Sequence, residues 1–205
     1  MRLAPRWEDA AQRAEATAIW QKNRSLRIDG LLVDDDARVL RDELRTLPNA
    51  LRGASPPAFS FQYSALGNVP DADCDHVLCQ FGRWWWSAGV AFAAGITGMS
   101  LRPPEDRMVV STLFQRGSFL DPHNDYDGVR RCAYVLGLTE TAWPPSDGGY
   151  LEFLGMAGDE VQVTERRAPG WNTLDLFDVT GVHCLHHVPI LTRDVERRAI
   201  AGWFY

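Results

Sequence analysis

The feature that most restricts the fold of this chain begins after Gly98, where helical periodicity stops and short β-branched and aromatic runs take over. Such runs occupy residues 108–114, 131–138, 150–154, 160–164, 172–179, 182–188 and 198–205. Turn-forming residues separate them, and Asp147-Gly148-Gly149 reads as a hairpin turn ahead of the third run. Many short strands with no helix between them cannot form a parallel α/β sheet. They predict a double-sheet sandwich or jelly roll.

The first hundred residues have a different texture. Residues 6–22 predict a helix with Trp7, Ala11, Ala14 and Ala18 on one stripe, and residues 26–29 a short extended piece. Val33, Ala37, Leu40, Leu44 and Leu47 recur at helical spacing up to Pro48, behind Asp34-Asp35-Asp36, which are expected to cap that helix and complement its dipole. Residues 49–70 read as loop with one strand around 59–63. A third helix is predicted over residues 75–95 with Leu78, Phe81, Trp85, Ala88, Phe92 and Ile96 on one face. Trp84 and Trp86 lie off that stripe and are expected to wedge the helix against the sheet. The expected architecture is α+β in a single domain, residues 1–205. Residues 1–100 form a mainly helical support and residues 101–205 a jelly-roll catalytic core.

The chemistry concentrates in the strand half. His123 and Asp125 are two residues apart, so on an extended strand both side chains point the same way. An imidazole and a carboxylate on one face suit a divalent metal such as Fe(II), which then needs a third ligand from elsewhere. The chain has only five histidines, and three of them, His183, His186 and His187, fall within five residues on a late strand. Strand alternation groups His183 with His187 on one face and leaves His186 on the other. Arg197 and Arg198 open the final strand, and a guanidinium beside a metal can hold an acidic co-substrate bidentately.

Composition narrows the classes. Hydrophobic content of 45% and charged content of 23% are ordinary for a globular protein. A net charge of −6 argues against nucleic-acid binding, which needs a basic surface to displace counterions. No apolar run reaches the length of a bilayer span, and the acidic residues close behind the N-terminus do not read as a secretory signal. Cys74, Cys79, Cys132 and Cys184 show no paired spacing, so free thiols in a reducing cytoplasm are expected. A zinc site from Cys132, Cys184 and His183 is the alternative use of these side chains.

The order of these motifs resembles the Fe(II)/2-oxoglutarate-dependent dioxygenase superfamily, in its prolyl-hydroxylase-like branch. The stretch Phe114-Gln-Arg-Gly-Ser-Phe-Leu-Asp-Pro-His-Asn-Asp125 is similar to the family's aromatic-x-x-G-x-F-L-x-x-H-x-D. Trp143 followed by Asp147-Gly-Gly-Tyr-Leu151, the pair His186-His-Val188, and Arg197-Arg-Ala-Ile-Ala-Gly-Trp-Phe204 resemble its later motifs. The resemblance implies a double-stranded β-helix core in which His123, Asp125 and His186 hold Fe(II) and Arg197 clamps 2-oxoglutarate. The H-x-V pattern favours His186 over His187, and R-x-A-I favours Arg197 over Arg198. Some relatives place a tyrosine facing the co-substrate on the strand after H-x-D; here Gly137 stands at that position, and Tyr134 has the opposite strand parity.

The implied activity uses dioxygen to hydroxylate a C–H bond of an amino-acid side chain, free, peptidyl or within a biosynthetic intermediate, with 2-oxoglutarate decarboxylated to succinate. Related halogenases carry a small residue where Asp125 stands, so the retained carboxylate favours hydroxylation. Two other classes remain: a non-catalytic jelly-roll binding module, and a cupin-type metalloenzyme that does not use 2-oxoglutarate. The expected partner is a small-molecule or peptide substrate, with neither nucleic acid nor membrane involved.

Overall fold

Eleven antiparallel strands follow one another in a single curled sheet whose path is β1-β9-β6-β11-β4-β3-β5-β10-β7-β8, with β2 paired to β3. The strands are β1 (Ser25–Asp29), β2 (Ala50–Ala54), β3 (Phe61–Asn68), β4 (Val109–Phe114), β5 (Phe119–His123), β6 (Cys132–Leu138), β7 (Leu151–Ala157), β8 (Glu160–Arg167), β9 (Trp171–Asp178), β10 (His186–Val188) and β11 (Arg197–Phe204). The helices are α1 (Ala10–Asn23), α2 (Asp34–Thr46), α3 (Val77–Trp84) and α4 (Val90–Thr97). This computed structural model describes residues 1–55, 59–70, 73–181 and 184–205.

From β4 onward the chain passes back and forth between two four-stranded layers, staying in one layer only for the β7–β8 hairpin. One holds β9, β6, β11 and β4, the other β5, β10, β7 and β8. This is the jelly roll expected from the spacing of the apolar runs. The layers join at β3, which pairs with β4 through Ser64–Asn68 and with β5 through Phe61 and Gln62.

The helices cover the outer face of the first layer. Trp20, Leu40, Leu44, Phe81, Trp85 and Ile96 are fully buried with Tyr134, Leu174 and Phe204 of the sheet. Each such side chain contributes on the order of 2 kcal/mol relative to exposure. The tryptophan triplet is accommodated by a π-helical turn, Trp85–Gly89, between α3 and α4. The wider turn lets successive side chains enter the core. Trp85 packs on Tyr134 and Phe204, while Trp86 packs on the same two rings and donates its indole N–H to the Arg107 carbonyl at 2.7 Å. Gly89 is required there, since a Cβ would lie 2.2 Å from the Trp85 ring.

Several expectations need correction. Asp147-Gly148-Gly149 is not a hairpin turn: β7 pairs with β8 and β10, so these residues end a crossover between layers. Both glycines have φ +69°, and a Cβ on Gly148 would meet the Ile190 carbonyl oxygen at 1.9 Å. In α1 the buried residues are Ala16 and Trp20, while Ala11, Ala14 and Ala18 are exposed. An indole has far more apolar area to bury than an alanine stripe, and it sets the helix's rotation. Asp34-Asp35-Asp36 form the first turn of α2 rather than its cap, which is Val33 without a side-chain cap bond.

Residues 49–70, expected to be mostly loop, supply β2 and β3. Cys74 and Cys79 form a disulfide with Cα atoms 6.0 Å apart, contrary to the expectation of free thiols, because α3 starts between them and folds Cys74 back on its first turns. Cys132 and Cys184 are free and buried, and the third member of the alternative zinc set, His183, lies outside the described residues. No helix among the described residues is long and apolar enough to cross a membrane.

Candidate metal centre and its cavity

The β5–β10 ladder assembles the site. His186 is the cross-strand partner of His123, and their rings lie 4.3 Å apart. Asp125 lies two residues beyond the end of β5 and turns back onto both. Its Oδ1 is 3.4 Å from His123 Nε2, and its Oδ2 is 3.4 Å from His186 Nε2. One donor atom from each residue lies within 4.8 Å of the others. All three residues are more than nine-tenths buried.

Each imidazole is oriented from behind. His123 Nδ1 donates to the Asp121 carbonyl at 2.9 Å, and His186 Nδ1 to the Cys184 carbonyl at 2.7 Å. A carbonyl only accepts, so both rings carry their proton on Nδ1 and turn an Nε2 lone pair toward Asp125. Burial lowers the pKa of His186 and keeps its lone pair free. Burial alone would raise the Asp125 carboxyl, but His123 and His186 outweigh it and hold the acid below its ordinary value. Two imidazoles and an ionised carboxylate in a dry pocket form a donor set that fits a divalent cation.

His187 turns the other way. Its Nε2 meets Glu152 Oε2 at 2.8 Å, and Glu152 also accepts from Arg166 at 2.6 Å. The strand parity that separated His186 from His187 in the sequence therefore operates in β10, although His183 lies outside the described residues.

The centre opens into a cavity of about 300 Å³ lined chiefly by apolar groups, among them Leu120, Val135, Leu151, Phe177 and Val188. Arg197 lies on its wall. The guanidinium is 4.7 Å above the Phe114 ring and has no hydrogen bond or ion pair among the described residues. Burial pushes its pKa down to about 10, against the pull of Asp175. A buried cation without a counter-charge is costly, and an anion entering the cavity relieves that cost. Arg198 faces α2 instead, donating to the Leu44 carbonyl at 3.2 Å and to Glu196 at 3.4 Å.

Gly137 packs against the far side of β9. A Cβ there would come within 2.7 Å of the Gly170 carbonyl and of Thr173 Oγ1, so no tyrosine can stand at that position. Tyr134 points into the helical side of the core, as its parity predicts.

Three contributors to the site were not singled out in the sequence. Phe59 stacks on the His123 ring at 4.4 Å and 18°. Tyr63 lines the cavity and stacks on Phe114 at 4.9 Å and 9°. Trp203 lines it as well, with Arg130 stacked 3.7 Å from its ring. The signal for the first two is the alternation Phe59-x-Phe61-x-Tyr63, which marks one face of a strand.

Comparison with known proteins places this arrangement. Residues 109–205 match the family model described as the 2OG-Fe(II) oxygenase superfamily. The Xenopus laevis prolyl 3-hydroxylase OGFOD1 is 30% identical over 132 residues, covering 63% of this chain and 24% of that protein. The chain spans about a quarter of the length of the curated relatives it matches. Among solved structures, a Pseudomonas putida prolyl-4-hydroxylase aligns with TM-score 0.63 and 21% identity over 94% of this chain and 97% of its own. A Trichoplax adhaerens prolyl hydroxylase, solved with a hypoxia inducible factor peptide fragment, aligns with TM-score 0.70 and 12% identity over 95% and 89%. Residues 109–205 are thus similar to the 2OG-Fe(II) oxygenase superfamily, and the fold of the chain is that of the prolyl hydroxylases of known structure.

Proposed function

We propose that the protein is an iron(II)- and 2-oxoglutarate-dependent hydroxylase acting on an amino-acid side chain, with His123, Asp125 and His186 as metal ligands and Arg197 as the co-substrate clamp. The observation that carries this reading is the pairing of a buried three-donor cluster with an unpaired buried guanidinium in one apolar cavity. Bound there, iron(II) supplies the means to activate dioxygen, so that conversion of 2-oxoglutarate to succinate and carbon dioxide is coupled to insertion of one oxygen atom into a C–H bond.

The chain's own residues do the rest. The backbone carbonyls of Asp121 and Cys184 fix the imidazole tautomers. Arg197, held in place by stacking on the Phe114 ring, would pair with a carboxylate of the co-substrate. Apolar walls keep water out, which strengthens each of these charge pairings. Prolyl-hydroxylase relatives favour a prolyl side chain as substrate, in a peptide or as a free amino acid. A cytoplasmic location, and a substrate other than nucleic acid, belong to the same proposal.

The test is anaerobic titration of the purified protein with Fe(II) and 2-oxoglutarate. The expected result is a visible metal-to-ligand charge-transfer band that is lost in His123→Ala. A silent wild type, or a His123→Ala protein that behaves like it, overturns the reading. Screening amino acids and peptides by succinate release then identifies the substrate.

A further inference from the structure

We propose that the hydroxyl of Tyr63 is a second co-substrate donor, holding the metal-side end of 2-oxoglutarate while Arg197 holds the other. This rests on the function proposed above and adds a residue from β3, outside the stretch that matches the family model.

The argument starts from a row across three strands. Arg197 of β11 pairs with Phe114 of β4, and Ser64 of β3 pairs with Leu113, which brings Tyr63 alongside Phe114. Side chains in such a row share a face. The Phe114 ring thus lies between the guanidinium at 4.7 Å and the stacked phenol ring at 4.9 Å. Adjacent strands are about 4.8 Å apart, so the backbone positions of Arg197 and Tyr63 are separated by roughly 10 Å. All three side chains line the cavity, so the guanidinium and the phenol hydroxyl on either side of the ring can reach the two ends of a short dicarboxylate lying across the ring's cavity-facing edge.

The phenol is the end nearer the metal ligands. Tyr63 is partly buried and close enough to Asp125 to feel its charge; burial, and then that charge, raise its pKa. It therefore remains a protonated donor at neutral pH. Its hydroxyl has no hydrogen-bond partner among the described residues, although the ring is fixed by Phe61 at 5.4 Å and Phe114 at 4.9 Å. A rigidly held, partly buried donor with nothing to donate to, facing a cavity with a cation at its other end, is arranged for an anion.

Gly137 sharpens the assignment. That position has no room for a side chain, so it cannot supply a hydroxyl to the co-substrate. Tyr63 provides one from a different strand.

The decisive variant is Tyr63→Phe, which removes the hydroxyl and keeps the ring stack. Affinity for 2-oxoglutarate is read from the charge-transfer band under anaerobic Fe(II), and metal affinity from Mn(II) binding without co-substrate. The expected result is about a tenfold or greater rise in the dissociation constant for 2-oxoglutarate with Mn(II) affinity and melting temperature unchanged. Unchanged 2-oxoglutarate affinity overturns the inference, as does an equal loss of Mn(II) and 2-oxoglutarate binding, which would mark a structural role. If Tyr63→Phe does not fold, Tyr63→His, which restores a donor on a planar ring, provides the second measurement. Tighter 2-oxoglutarate binding by His than by Leu at this position supports the inference, and equal binding overturns it. A wild type with no band at all overturns the function itself, an outcome distinguishable because both proteins are then silent.

Discussion

His123 and His186 are direct cross-strand partners in the antiparallel pairing of β5 and β10, with ring centroids 4.3 Å apart. Register therefore decides which histidine reaches the site, because a one-residue slip sends a side chain to the opposite face. His186→Ala is expected to weaken metal binding at least a hundredfold, whereas His187→Ala leaves it within a factor of about three. The second variant instead loses about 1 kcal/mol of stability through its contact with Glu152, which Arg166 still satisfies. Mn(II) titration and thermal unfolding of the two proteins provide the check.

The buried guanidinium of Arg197 makes a paired prediction. Arg197→Met should weaken 2-oxoglutarate binding by a factor of a hundred or more, yet leave the ligand-free protein as stable as wild type or more so, since it removes an unpaired buried charge. Arg198→Met should do the reverse: normal co-substrate affinity, with stability reduced by roughly 1–2 kcal/mol as the Leu44 carbonyl and Glu196 lose their donor. Calorimetry on both variants separates the roles.

Trp203 of β11 lines the cavity beside Asp125, its buried indole N–H without a hydrogen-bond partner among the described residues, and Arg130 both stacks on that indole and donates to the Asp125 carbonyl at 3.3 Å. Trp203→Phe keeps the stack and removes the N–H. Mn(II) affinity is expected to fall about tenfold, with the melting temperature little changed. A variant that binds metal as wild type does would show that the indole is only packing.

The metal-free protein should lose stability on mild acidification because of His186. Its folded pKa lies below the ordinary 6.5, so between those values the unfolded chain binds a proton that the folded chain refuses. Stability then rises with pH through that window and is fully present above about 6.5. His186→Phe should flatten this part of the profile in urea titrations at a series of pH values.

Reduction of the Cys74–Cys79 bond should remove about 2 kcal/mol by the loop-entropy estimate, or roughly 4–8 °C in melting temperature for a chain of this size. Because the bond lies beside α3 and away from the metal cluster, Mn(II) affinity should not change. Parallel melts with and without a thiol reductant test both statements.

What was legible in the sequence depended on which force set each feature. The strands from Val109 onward were readable because each must bury one face; the closeness of His123 and Asp125 was read from strand alternation, although Asp125 lies beyond the end of β5 and reaches the cluster by a turn. Tyr63 and Trp203 were not assigned to the site because an aromatic facing a cavity and one facing the core obey the same alternation. Ala50–Ala54 gave no strand signal because β2 is exposed along its whole length and carries no apolar pattern. The Asp147-Gly148-Gly149 turn had the right chemistry for a hairpin, and only the partner choice of β7 revealed a crossover. The rotation of α1 failed because alanine spacing is a weak guide when Trp20 decides the packing.

One consequence follows from β1 and β3, the strands that flank the first layer. The stretch that matches the oxygenase family model, residues 109–205, has its outer strands β9 and β4 completed by two segments that come earlier in the chain. Excised alone, that stretch would present bare backbone edges on β9, β4 and part of β5 and an uncovered apolar back, the makings of an aggregate. Supplied in trans, residues 1–100 would act as a donor, mending those borders at once; the two halves are thus better understood as lock and bolt than as catalyst and scaffold.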